Sequence, residues 1–172
     1  STNAGITWAP VFEKEKTVSI GGIAVAASNP NVIWVGTGEN NSSRSSYGGM
    51  GVYRSDDGGE SWTYMGLGDT DRIGRILIDP NDSSTVYVAA LGKLYTPGGQ
   101  RGVYRTKDGG KNWQQVLEGD DWTGVIDMVF KPDDTQTLYA AAWDRKRRPW
   151  DFTEGGTGSA IYKSVDGGDT WS

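Results

Sequence analysis

Glu39, Asp121 and Asp144 are the carboxylates of this chain placed where a paired acid and base could work. Two such groups about 5–5.5 Å apart cleave a glycosidic bond with retention, and about 6.5–9.5 Å apart with inversion. Arg72, Arg101, Arg145 and Arg147 form a second set, since a guanidinium grips a carboxylate in a planar fork. Trp150 adds a flat stacking surface, and the segment from Trp143 to Phe152 interleaves four cations with three aromatic rings. Arg stacks on rings as well as pairing with acids, so this segment reads as an interaction loop. The simpler readings are a solvated charge run there, an Arg72 paired to Asp71, and a polar excursion around Glu39.

Other chemistries are excluded by composition. There is no Cys and no His among the 172 residues, which removes disulfides, thiol nucleophiles, Ser-His-Asp machinery and ordinary zinc sites together. The run Gly155 to Ser159 has Ser where a calcium-binding nonapeptide needs Asp. Asp56 and Asp57 fall short of the ~6–8 oxygens that calcium takes. No metal and no cofactor is therefore expected. A net charge of −5 argues against a nucleic-acid partner. No apolar stretch reaches the ~18 residues of a membrane span, so no membrane insertion is expected. Asn40-x-Ser42, Asn41-x-Ser43 and Asn81-x-Ser83 fit the short pattern of glycosylation acceptors.

The elements that must position these residues are announced by a repeat. Ser55-x-Asp57-x-Gly59-x-x-Trp62, Thr106-x-Asp108-x-Gly110-x-x-Trp113 and Ser164-x-Asp166-x-Gly168-x-x-Trp171 are complete copies, and Ser1-x-Asn3-x-Gly5-x-x-Trp8 is a degenerate one. Their starts are 54, 51 and 58 residues apart, a period of stacked or radially arranged units. The hydroxyl and carboxylate can bond the backbone of their own loop, glycines supply φ > 0, and the Trp anchors the next strand. The same order recurs between copies. An apolar segment follows each Trp, beginning with Trp8–Phe12. Next comes a run containing Gly21, Gly74 or Gly124, the mark of a crowded inner strand. A Pro turn at Pro30, Pro80 or Pro132 leads to the most apolar strand. A long connection then reaches the strand before the next copy. With 26 Gly, 8 Trp and 8 Tyr, the chain is expected to be all-β, built of four-stranded antiparallel β-propeller blades. The units run approximately 8–62, 62–113 and 113–171, giving about three blades of one partial propeller over 1–172. Propellers close with ~4–8 blades, so the remaining blades come from a longer chain, further copies or other subunits; a fragment of a larger propeller is the expectation.

The four copies resemble Asp-boxes, also called BNR repeats, found in sialidases, xyloglucanases, sortilin and secreted bacterial proteins. The wording from Asn29 to Glu39, followed by Gly51-Val52-Tyr53-Arg54-Ser55, is most similar to bacterial secreted sortilin-like repeat proteins. That resemblance implies a secreted or cell-surface location in a bacterium, and boxes that are structural turns remote from the ligand face. In a four-stranded blade the boxes and Pro turns share one end, and the long loops share the other, which is the binding face. Three functions follow as expectations. The first is a non-catalytic extracellular propeller binding protein, peptide or glycan through Glu39, Arg72, Arg101, Arg145, Arg147 and Trp150. The second is a glycoside hydrolase of sialidase or xyloglucanase type. The third is a structural element of a cell-surface assembly.

Overall fold

The computed structural model describes residues 1–172 and contains no α-helix. Strands β1 (Ile20–Ala26), β2 (Asn29–Thr37), β3 (Val52–Ser55) and β4 (Thr63–Tyr64) form one antiparallel sheet in that order. Strands β5 (Ile73–Ile78), β6 (Val86–Ala90), β7 (Gly102–Thr106) and β8 (Gln114–Glu118) form a second. The third sheet is built from β9 (Thr123–Lys131), β10 (Asp134–Asp144) and β13 (Ala160–Ser164). Between β10 and β13 the long loop forms its own hairpin, β11 (Lys146–Arg147) with β12 (Phe152–Thr153). The three sheets pack in sequence, joined mainly by their first strands, as blades of a β-propeller.

Register fixes which residues correspond. Trp34 lies opposite Arg54, Tyr87 opposite Arg105, and Tyr139 opposite Lys163. Each first strand carries a one-residue bulge, at Gly21, Gly74 and Ile126. At Gly21 a Cβ would collide with the Ile73 carbonyl oxygen, and at Gly74 with that of Ile126, so these glycines allow neighbouring inner strands to touch. Gly124 does not belong to this series. It lies two residues before its bulge and abuts the Leu91 backbone instead.

Two apolar clusters seal the two blade junctions. Val32, Trp34 and Val52 meet Ile73, Ile76, Val86 and Val88 at the first. Tyr87, Ala89 and Val103 meet Val125, Met128, Leu138 and Ala140 at the second. Trp34 is wholly buried and meets Trp113 edge-on at 5.9 Å between ring centroids. The expected strand at Trp8–Phe12 is not formed. This segment is irregular, with no strand hydrogen-bonded to it, and Trp8 remains 80% exposed. Phe12 still packs edge-on against Tyr53 and Trp62, at 5.2 and 5.1 Å.

The boxes are hairpin clamps with one hydrogen-bond plan. In the second box Ser55 Oγ donates to Asp57 Oδ1 (2.7 Å) and accepts from Gly59 N (2.8 Å). Asp57 then accepts from Ser61 N (2.9 Å) and Ser61 Oγ (2.5 Å). Thr106–Asp108–Asn112 and Ser164–Asp166–Thr170 repeat the plan. In the first box Asn3 Oδ1 accepts from Thr7 N at 3.0 Å while its amide donates to Thr7 Oγ1 at 2.9 Å. The backbone N–H of Gly58, Gly109 and Gly167 reaches the Pro-turn carbonyls of Asn31, Ser84 and Gln136. Boxes and Pro turns therefore share one end of the blades, and the long loops occupy the other.

Candidate functional site

The loop end is assembled around three buried arginines. Arg72 enters β5 after a short 3-10 turn at Gly68–Thr70. Its guanidinium pairs with Asp71, donates to Ser46 Oγ (3.2 Å) and Ser46 O (3.1 Å), and lies over the Tyr95 ring. Arg101, just before β7, donates to five main-chain carbonyls: Gly98, Leu91, Trp122, Lys93 and Thr96, at 2.5–3.4 Å. Arg145, at the tip of β10, reaches Asn41 O at 2.5 Å and Gly92 O at 3.5 Å and stacks over Trp143. Its Nε has no hydrogen-bond partner. Burial, then the neighbouring charges of Arg72 and Arg101, lowers the Arg145 pKa from its ordinary value.

Each of these cations thus holds one loop to another. The loop after β2 is tied to β5 by Arg72 and to β10 by Arg145, and the loop after β6 is folded around Arg101. Tyr95 completes the tie, its hydroxyl donating among the carbonyls of Ser43, Arg44 and Ser46 at 3.0–3.4 Å. Arg72, Arg101 and Arg145 are at most 2% exposed, so they face loop backbone rather than solvent. Glu39 is half-buried; its carboxylate accepts from Asn41 Nδ2 (3.2 Å) and Tyr47 N (3.4 Å), shaping its own loop.

Arg147 and Trp150 behave differently. Arg147 is half-buried, its N–H bonded to Leu94 O at 2.9 Å and its guanidinium 4.7 Å from the Phe152 centroid. The β11–β12 hairpin closes through Arg148 N donating to Asp151 O at 2.7 Å. That turn holds Trp150 out in solvent, 79% exposed, with Phe152 beside it at 54%. Tyr47 and Tyr95 are also exposed on the loops that the arginines brace. A cleft of about 330 Å³ opens between the second and third blades, lined by Glu118, Asp120, Thr123, Gly158 and Tyr162 among others. Asp120 is committed to the link that roofs it, accepting from Trp122 N (2.8 Å), Thr123 N (2.7 Å) and Thr123 Oγ1 (3.0 Å). This end therefore presents exposed aromatic rings on loops that hydrogen bonds tie together, together with a cleft with two carboxylates.

Sequence reasoning overlooked a second set of functional cations. Arg54 Nη1 donates to Gly109 O of the next blade's box at 2.9 Å, and Arg105 Nη1 donates to Gly167 O at 2.6 Å. The signal was present: Arg54, Arg105 and Lys163 each stand one residue before a box.

Residues 50–172 match the family model described as sortilin, neurotensin receptor 3. The chain belongs to the Sortilin-Vps10 family. Among other relatives of this Sortilin-Vps10 chain is a probable oligoxyloglucan-reducing end-specific xyloglucanase of Neosartorya fischeri. It is 29% identical over 123 residues, covering 66% of this chain and 12% of that protein. A xyloglucanase of Paenibacillus sp. is 25% identical over 152 residues, covering 70% of this chain and 13% of that protein. The chain thus spans about an eighth of the length of these relatives. Among solved structures, the GH74 enzyme of Niastella koreensis matches with a TM-score of 0.59 at 24% identity, over 88% of this chain and 21% of that one. That likeness is one of fold. No helix is long and apolar enough to cross a membrane.

Proposed function

We propose that this chain is part of an extracellular propeller that binds a glycan across its long-loop end, with Trp150 as a stacking contact. The observation that carries the reading is an exposed Trp150 on a hairpin whose supporting loops are braced by buried arginines. Rigid support reduces the ordering cost of binding, and an aromatic face suits the apolar face of a sugar ring. The relatives named xyloglucanase make a xyloglucan-type polysaccharide the ligand to test first. Arg147, stacked under Phe152, orients the hairpin in this reading.

Titration calorimetry with a panel of neutral and acidic oligosaccharides tests it. The expected outcome is saturable binding of one class, weakened about tenfold or more by Trp150→Ala. Binding that is indifferent to Trp150→Ala moves the site elsewhere on the blades. A second reading, hydrolysis, is favoured by the cleft carrying Glu118 and Asp120 together with the same relatives. Release of reducing ends that stops in Glu118→Gln selects it.

A further inference from the structure

Arg145, Lys146, Arg147 and Arg148 are four consecutive cations in a chain whose net charge is −5. None of them enters an ion pair, although five ion pairs form elsewhere. They differ in what lies beside them. Arg145 is wholly buried on the carbonyls of Asn41 and Gly92 and serves the loop framework. Lys146 stands 5.8 Å from the Trp122 centroid, and Arg147 4.7 Å from that of Phe152. Arg148 is exposed and joined to Asp151 through the backbone. A ring face steadies a cation without neutralising it, so these charges remain available to a ligand. Arg147 Nε is buried with no acceptor. A donor left unpaired gains from an anionic oxygen that reaches it.

The carboxylates close in sequence do not cancel this charge. Residues 144–151 hold four cations against two acids, Asp144 and Asp151. Asp144 packs against Gly156, and Glu154 accepts from Ser42 Oγ across the loops. The hairpin also leans over the first two blades of this chain. Arg147 N–H bonds Leu94 O of the second blade, and Arg145 bonds Asn41 O of the first. The surroundings of these cations are therefore the loops already described. Trp150 stands between Arg148 and Phe152 in the turn, 79% exposed.

Resting on the glycan reading above, we propose that the ligand of this end is an acidic polysaccharide, one carrying carboxylate or sulfate groups. A sugar ring stacks on Trp150 while its anionic group is drawn to Arg147 and Arg148. Stacking supplies contact area to any glycan, and the cations discriminate. A neutral xyloglucan uses the ring face alone.

Titration calorimetry with three probes of matched length tests this: an oligogalacturonide, a sulfated galactan oligosaccharide and a neutral xyloglucan oligosaccharide. The expected result is a charged probe bound about tenfold or more tighter than the neutral one, with an affinity that falls as salt rises from about 50 to about 500 mM. The charged probe that binds identifies the anionic group. Arg147→Gln removes most of the preference, and Arg147→Lys, which keeps the charge and loses the planar fork, retains part of it. Arg148→Gln, at an exposed position, lowers the preference with unchanged circular dichroism. A neutral probe that binds as well as the charged ones, in a manner dependent on Trp150, overturns the acidic assignment and leaves glycan binding standing. A preference that survives both Gln variants overturns it too, as does a polyglutamate peptide binding as tightly as the charged glycan. Failure of all three probes defeats glycan binding itself.

Discussion

Asp57, Asp108 and Asp166 show how one carboxylate sets a turn. Each accepts a side-chain and a backbone hydrogen bond from the residue four positions on, and a third from the Ser or Thr two positions back. These bonds favour the charged form. The folded-state pKa falls from 3.8 to about 2 for Asp108 and Asp166, and Asp57 lies well below the usual carboxylate range. A depressed acid contributes stability that is complete above its unfolded value and is lost as pH drops through the folded one. Thermal melting is therefore expected to hold down to about pH 4 and to decline steeply towards pH 2. Asp57→Ala lowers the melting temperature at pH 7 the most, Asp57→Asn lowers it less because its amide keeps the hydrogen bonds without the charge, and both flatten the acid limb. Asn3 already performs the same role with an amide that donates to Thr7 Oγ1. Equal damage from both substitutions at pH 7 would count against this account. The turn was legible in sequence because its hydroxyl, carboxylate and glycines act on backbone within five residues. The burial of Arg72, Arg101 and Arg145 was not, because their acceptors are carbonyls and a hydroxyl on loops up to 104 residues away.

At the level of elements, the inner strands are set by what is missing from a side chain. Gly21 and Gly74 occupy bulges where the next blade's backbone leaves no room for a Cβ. Gly21→Ala is expected to destabilise the fold by about 1–3 kcal/mol through enforced separation of β1 and β5, measured by denaturant unfolding. Repetition of glycine exposed this crowding to a sequence reading, and Gly124 is crowded too, against the Leu91 backbone, but it is not the third bulge. Gly124 lies two residues early because the third bulge is taken by Ile126, and only strand register reveals the shift. Strand formation at Trp8–Phe12 was likewise overestimated, since alternation cannot make a strand without a neighbour to pair with. The β11–β12 hairpin escaped notice because charges and aromatics there mask its period of two.

For the whole molecule, stability is a chain of nearest-neighbour junctions. Arg105 is 4% exposed and ties the second blade to the third through Gly167 O and Asp169 Oδ1, while Gln114 Oε1 of its own blade holds the guanidinium in place. Arg105→Ala is expected to cost about 1.5–3 kcal/mol and to split calorimetric unfolding into two transitions, the third blade melting first. One unbroken transition at lowered temperature would show instead that the blades unfold together. The radial arrangement was readable from a period near fifty residues, since a four-stranded unit cannot bury both faces alone. The joint itself was not, as nothing in a lone cation announces that its acceptor is a carbonyl of the following unit.

That choice of acceptor carries an evolutionary implication. The oxygens of Gly109 and Gly167 belong to the main chain, and every unit built on this hairpin presents one whatever its side chains. A module duplicated within the gene therefore arrives with that oxygen already in place for the cation next door. Lineages can then diversify the opposite rim while leaving the coupling untouched.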